Sequence, residues 1–164
     1  MRTVKKESDL YEPMCVWFKD YLQDRYKHYN VSVYDTSQEK LDRVLNRLDI
    51  RNDAAVGLDI QIDVLGVAIH KKKSDYKLFF IEAKKTNLTL RDLGQLWAYC
   101  KLIDPAEAFL LSSEGLGTLN KVLKVLNRED LLDFGDGKRI KKMNVGLWDV
   151  LSNSPDFLTM VPKI

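Results

Sequence analysis

Two apolar segments near the middle of the chain decide its fold: LDIQIDVLGVAI at residues 58–69 and LFFIEAK at residues 78–84. Both have the residue types of β-strands, and the basic turn between them is longer than a two-residue hairpin. We therefore expect a central antiparallel pair, with strands at 58–69 and 77–84. Both segments contain carboxylates, and an unpaired charge is costly to remove from water. Something must compensate these charges, and a metal ion is the obvious candidate.

The alternation of side chains along a strand predicts where these charges lie. Glu82 and Lys84 are two residues apart, so they project from the same side of the sheet. A neighbouring strand in suitable register would bring Asp63 beside Glu82, and two such carboxylates either share a proton or hold a cation. Oxygen ligands without His or Cys favour Mg²⁺, with Mn²⁺ as the alternative, over zinc. Lys84 would then act on a metal-polarised water or on charge that develops on a phosphate.

The flanking sequence predicts helices and strands in alternation. Helical patterns occupy 8–22, 39–48, 89–103 and 119–126, and strand patterns occupy 29–34, 107–112 and 145–150. Thr89, with Asp92 three residues later, is a good N-terminal cap, and the helix that follows would form a parallel crossover to the strand at 107–112. We expect an α/β fold with a central mixed β-sheet of four or more strands flanked by helices. Residues 1–164 should form one domain.

Composition excludes several classes of protein. The 164 residues are 45% hydrophobic and 30% charged, with a net charge of +2, which is typical of a globular chain. No apolar run approaches the roughly 20 residues that span a bilayer, and the first residues lack the apolar segment of a signal peptide. The two cysteines form neither a metal motif nor a disulfide framework. We expect a cytoplasmic protein that does not bind a membrane.

Three motifs resemble those of the PD-(D/E)XK, or restriction-endonuclease-like, nuclease superfamily. DVLG at 63–66 resembles the superfamily's strand of an aspartate, two apolar residues and a small residue, and IEAK at 81–84 resembles its E-x-K strand. QLWAY at 95–99 is similar to the Q-x-x-x-Y helix motif of its exonuclease branch. The resemblance covers mainly residues 1–112. Residues 113–164 match nothing assignable and are interpreted as a C-terminal embellishment of the same domain.

The resemblance implies a restriction-endonuclease-like core and a metal-dependent nuclease that hydrolyses DNA phosphodiester bonds. Asp63 and Glu82 would bind Mg²⁺, Lys84 would act on the attacking water, and Gln95 would steady Lys84 or a phosphate. Tyr99, one helical turn after Gln95, would lie beside the active site. Asp59 is the alternative to Asp63, since it lies on the same strand face four residues earlier, but its surroundings fit the motif less well.

The superfamily also uses a glutamate from its first helix, and this chain offers two. Glu7 lies three residues before Leu10 and seven before Met14, so it shares their inward face if the helix extends that far back. Glu12 should face away, unless Pro13 makes the helix begin later. We favour Glu7 as the third metal ligand and keep Glu12 as the alternative.

The expected partner is DNA, with a homodimer or a larger complex as possible assemblies. The basic residues Lys71, Lys72 and Lys73, and the cluster at 138–142, would follow the DNA backbone without reading its sequence. The alternatives are a non-catalytic DNA-binding or interaction module of a repair or restriction assembly, and a Holliday-junction resolvase. An enzyme acting on a phosphorylated small molecule is poorly supported, since no glycine-rich phosphate loop is present.

Overall fold

A mixed six-stranded β-sheet with helices on both faces forms the centre of the protein, in a computed structural model that describes residues 4–164. The strands are β1 Tyr29–Asp35, β2 Val64–His70, β3 Tyr76–Lys84, β4 Glu107–Ser112, β5 Asp133–Phe134, β6 Lys141–Lys142, β7 Asn144–Asp149 and β8 Ser154–Pro155. Their order across the main sheet is β1-β2-β3-β4-β7-β8, and β5 pairs separately with β6. The predicted α/β fold with a mixed sheet of four or more strands is confirmed.

Helices connect and cover these strands. They are α1 Tyr11–Arg25, α2 Leu41–Arg47, α3 Leu90–Ile103 and the short α4 Thr118–Asn120, which continues as a π-helical turn over Lys121–Val125. Single 3₁₀ turns occupy Glu7–Leu10 and Glu129–Leu132. The helix predicted at 119–126 is therefore one short α-helical segment followed by a π-helical turn, which is wider than an α-helix. Leu119 and Leu123 are still buried on one side, because they lie four residues apart.

The direction of the strands follows the predicted connections. β2 pairs antiparallel with both β1 and β3, as expected for the central pair. β3 pairs parallel with β4 through the crossover helix α3, and β4 pairs parallel with β7. The N-terminus of α3 has the predicted cap, because the Asp92 N–H donates to Thr89 Oγ1 (3.3 Å) and the Thr89 N–H donates to Asp92 Oδ2 (2.9 Å).

Two apolar layers hold the sheet, one on each face. Met14, Phe18 and Leu22 of α1 pack with Phe79 and other side chains of the first face. α2 and α3 cover the second face, whose core includes the buried side chains Val44, Leu65, Phe80, Leu93 and Leu96. The helical spacing of the first group and the alternation along the strands produce this separation.

Strand β2 begins six residues later than the sequence predicts. Residues 58–63 lie outside it, because its pairing with β1 starts at Asp35 and Val64. The segment before β2 instead contacts the N-terminal end of α2, where the Leu41 N–H donates to the Ile60 carbonyl (2.8 Å). The side chains of Ile60 and Ile62 are buried there. Asp63 consequently lies just before the strand, at the end of the sheet.

The C-terminal segment completes the sheet. β7 lies beside β4, and the backbone of Val145 exchanges two hydrogen bonds of 2.8 Å with Val161. Trp148 is 1% exposed and contacts Trp17 of α1 edge to face. Residues after 112 therefore contribute two strands of the main sheet and part of its core. None of the helices in residues 4–164 is long and apolar enough to cross a membrane.

Candidate active site

Asp63 and Glu82 meet at the end of the β2–β3 pair. The register pairs Val64 with Ile81, so the next two residues, Asp63 and Glu82, face each other across the strands. The Ala83 N–H donates to Asp63 Oδ2 (2.9 Å), which fixes the aspartate against β3. The predicted juxtaposition of these two carboxyl groups is therefore present, although Asp63 itself is not part of the strand.

Glu82 is a buried acid with an unsatisfied oxygen. Its side chain is 5% exposed, and Glu82 Oε2 has no hydrogen-bond partner among the described residues. Burial raises the pKa of Glu82 well above its usual range, and Asp63 raises it further through its charge and as a hydrogen-bond partner, whereas Lys84 opposes this increase. An orphaned carboxylate oxygen next to a second carboxylate is a donor set that fits a hard cation such as Mg²⁺.

Glu7, rather than Glu12, reaches this site. Glu7 lies on the 3₁₀ turn before α1, its Oε2 accepts a hydrogen bond from the Lys85 N–H (3.2 Å), and its charge contributes to the raised pKa of Glu82. Glu12 is exposed and lines a groove beside Trp17 and Trp148. Within residues 4–164, no three His, Cys, Asp or Glu side chains are arranged to hold a metal ion. Glu7 therefore stands next to the Asp63–Glu82 pair without forming a three-acid cage with it.

Lys84 has an acidic neighbour on α3 that the sequence reasoning did not assign to the site. Lys84 Nζ lies 4.0 Å from Asp92 Oδ1, and both side chains are mostly buried. The other oxygen of Asp92 accepts the N–H and hydroxyl of Thr89 in the helix cap. The sequence predicted Asp92 only as a capping residue. Its position in the first turn of α3, the helix that follows the E-x-K strand, was the available signal that it could also pair with Lys84.

Tyr11 is a further site residue that the sequence reasoning missed. Tyr11 is 8% exposed, and it lies close enough to Asp63 for the carboxylate to raise the pKa of its hydroxyl. Burial raises the pKa of Tyr11 first, and the charges of Asp63 and Glu7 raise it further, so the hydroxyl stays protonated beside the acids. Its position four residues after Glu7, one helical turn along the chain, was the only available signal.

Gln95 and Tyr99 contact each other on α3. Gln95 is exposed, and its Nε2 donates to the Tyr99 hydroxyl (3.1 Å). The role predicted for Gln95, to steady Lys84 or a phosphate, stays a prediction. The side chain that pairs with Lys84 in the structure is that of Asp92. The reason is helical geometry: Asp92 lies in the first turn, close to the strand end, whereas Gln95 lies three residues further along the helix.

The two basic clusters lie at the opposite end of the sheet. Lys71, Lys72 and Lys73 follow β2 in the turn to β3, about 25 Å from Asp63 at the usual rise of a strand. Lys141 of the second cluster bonds to Asp104 (2.7 Å), close to the start of β4, and Lys142 pairs with Asp133. Because β3 and β4 are parallel, both clusters lie far from the carboxylates.

The site thus combines two facing carboxyl groups, a third acid beside them and an amine on the same strand face. Comparisons with models of protein families, with curated proteins and with solved structures found no match to this chain. The chemistry is therefore inferred from the geometry of the site. Such a group of residues can bind a divalent cation and present an amine to a phosphate or to an attacking water.

Proposed function

We propose that this protein is a Mg²⁺-dependent nuclease that hydrolyses DNA phosphodiester bonds and whose sheet is a restriction-endonuclease-like core. The observation that carries the proposal is Glu82 Oε2, buried without a partner and facing Asp63 in the strand register. Burying this group in a purely structural sheet would only cost stability. Its retention beside a second acid and two residues before Lys84 supports a catalytic site.

Each residue of the site has a defined part in the reaction. Asp63 and Glu82 would hold the cation, which when bound polarises the phosphate and lowers the pKa of a coordinated water. Lys84 orients the attacking water, or neutralises charge on the phosphate oxygens as the bond to the leaving oxygen breaks. Tyr11 would supply a protonated hydroxyl beside Asp63, and Asp92 holds Lys84 through their opposite charges.

Cleavage assays test the proposal with a matched control. Single-stranded, double-stranded and four-way-junction DNA would be incubated with the purified protein and Mg²⁺ or Mn²⁺. We expect Asp63→Asn and Lys84→Ala to lose cleavage by at least about a hundredfold, as is typical when a catalytic group is removed. Asp59→Asn should retain it, because Asp59 is 84% exposed and pairs with Lys40.

The outcomes separate the alternative functions. Cleavage limited to four-way junctions would identify a resolvase. Salt-dependent binding of DNA without cleavage in either metal would identify a non-catalytic module and overturn the nuclease proposal. Equal cleavage by wild type and Asp63→Asn would show that the activity comes from another site or a contaminant.

The basic clusters set the length of DNA to use. At about 3.4 Å per base pair, the turn at Lys71 to Lys73 would reach phosphates about seven base pairs from the cleaved bond. Short oligonucleotides would therefore contact the acidic end alone. Longer duplexes would test whether these lysines add affinity.

A further inference from the structure

The two edges of the main sheet differ in their protection. β8 forms one edge with only two residues, and one of them is Pro155. β1 forms the other edge with seven residues, YNVSVYD, which include no Lys, Arg or Pro and a single acid at the end. Monomeric proteins normally protect a long edge with charges, prolines or bulges, because its free backbone groups can pair with another strand. Apart from Asp35 at its end, β1 has none of these devices.

The hydrogen bonds to β2 show which groups of β1 face outward. The Thr36 N–H donates to the Asp63 carbonyl (3.0 Å), and the Lys71 N–H donates to the His28 carbonyl (2.9 Å). Antiparallel bonding alternates, so Asn30, Ser32 and Tyr34 bond to β2, while Val31 and Val33 direct their N–H and C=O groups outward. Among residues 4–164, no strand and no turn or side-chain hydrogen bond meets these outward groups.

We infer that the outer edge of β1 pairs antiparallel with β1 of a second copy, in a register centred on Ser32. This register pairs all seven residues and matches Val31 of one copy with Val33 of the other, so that the outward N–H and C=O groups satisfy each other. The result is one continuous twelve-stranded sheet with a two-fold axis at Ser32.

The matched length of the two edges and the position of the charge favour a second copy over another strand. In this register each of the seven residues of one β1 lies opposite a residue of the other β1, so the two edges match in length. The two Asp35 carboxylates would lie at opposite ends of the interface, about 20 Å apart, so the only charge on β1 meets no like charge. The inference does not depend on the nuclease proposal.

A cysteine at the axis tests the register. The two Ser32 residues would form a non-hydrogen-bonded pair with Cα atoms about 4.5 Å apart, which lies within the range of a disulfide. We expect Ser32→Cys to become a covalent dimer under mild oxidation, as seen on a non-reducing gel. Ser37→Cys, also half-buried but beyond the strand, and the wild type with its own Cys15 and Cys100 are the controls and should stay monomeric on the gel.

Light scattering tests the dimer itself. The wild type should have twice the mass of the 19.0 kDa chain at micromolar concentrations. Val33→Pro removes an N–H group that points outward and leaves every hydrogen bond to β2 in place. The molecular mass measured by light scattering should therefore fall to that of one chain, while thermal unfolding stays cooperative. A wild-type monomer, or a dimer in which Ser32→Cys cross-links no faster than Ser37→Cys, would overturn the inference. The cross-linking result decides the question even if Val33→Pro fails to fold.

Discussion

Glu82 shows most directly how a single residue links stability to function. Its pKa lies well above the ordinary 4.5 because it is buried and faces Asp63, so the folded protein binds the Glu82 proton more tightly than the unfolded chain does. This contribution to stability is complete below pH 4.5 and is lost as the pH rises through the folded-state pKa. A bound cation would offset the loss, since it binds only the folded site.

The pH dependence of unfolding provides a test at this residue. In the presence of a chelator, urea unfolding of wild type and Glu82→Gln would be compared between about pH 5 and about pH 8. At the upper pH we expect the variant to exceed wild type by about 1–3 kcal/mol, since it buries no charge, and the difference to shrink toward the lower pH. Glu12→Gln, which changes an exposed acid on α1, should follow wild type. A constant difference across this range would contradict the assignment of the raised pKa.

At the scale of elements, the packing of α1 on β2 depends on a small residue. A methyl group at Gly66 would lie 2.7 Å from Leu22 Cδ1 and 3.1 Å from Phe79 Cβ, both on the α1 side of the sheet. The small position of the DVLG motif is therefore explained by the close approach of α1. Gly94 in α3 has nothing within 4 Å of the same position.

Alanine substitutions at these two glycines should have opposite effects. We expect Gly66→Ala to lower the free energy of unfolding by about 1–3 kcal/mol, because the core must shift to accept the methyl group. Gly94→Ala should raise it by about 0.5–1 kcal/mol, because alanine favours the helix and meets no neighbour. Thermal or urea unfolding measures both, and a stabilising Gly66→Ala would show that α1 is less closely packed than described.

Elements encoded by local sequence were predictable, whereas those set by distant partners were not. The Thr89 cap and the end of α3 follow from residues adjacent in the chain, and the antiparallel β2–β3 pair from two neighbouring segments. The start of β2 depends on where β1 ends and on α2, so periodicity alone placed it too early. The same limit applies to the site: Asp63 and Glu82 were brought together as expected, but the partner of Lys84 depends on how α3 approaches the strand.

At the scale of the whole molecule, the C-terminal segment is part of the central sheet. β7 pairs with β4, more than thirty residues earlier in the chain, and this long-range pairing leaves no local sequence signal. Met143, Val145 and Trp148 are buried against the strands that precede them. The interpretation of residues 113–164 as a C-terminal embellishment of the same domain stays a prediction, while Trp148 and Met160 of this segment belong to the buried core.

Truncation tests this dependence. A chain ending at residue 142 would expose one side of β4 and remove Trp148 from the core, so we expect it to lose cooperative unfolding, as measured by circular dichroism during heating. Removal of only Lys163 and Ile164, which are exposed, should leave the transition unchanged. A cooperative transition in the chain that ends at residue 142 would show that β1 to β6 fold without β7 and β8.

The edge-to-face contact of Trp17 with Trp148 joins α1 to the end of β7, with ring centroids 6.0 Å apart. The third tryptophan, Trp97, is 40% exposed and donates its indole N–H to the Asp133 carbonyl (2.9 Å). At the junction of its early and late segments the protein therefore contains a buried tryptophan, Trp148, in contact with a half-buried one, Trp17, while Trp97 is exposed elsewhere. Its intrinsic emission spectrum reports directly whether these two segments are docked, without any added label.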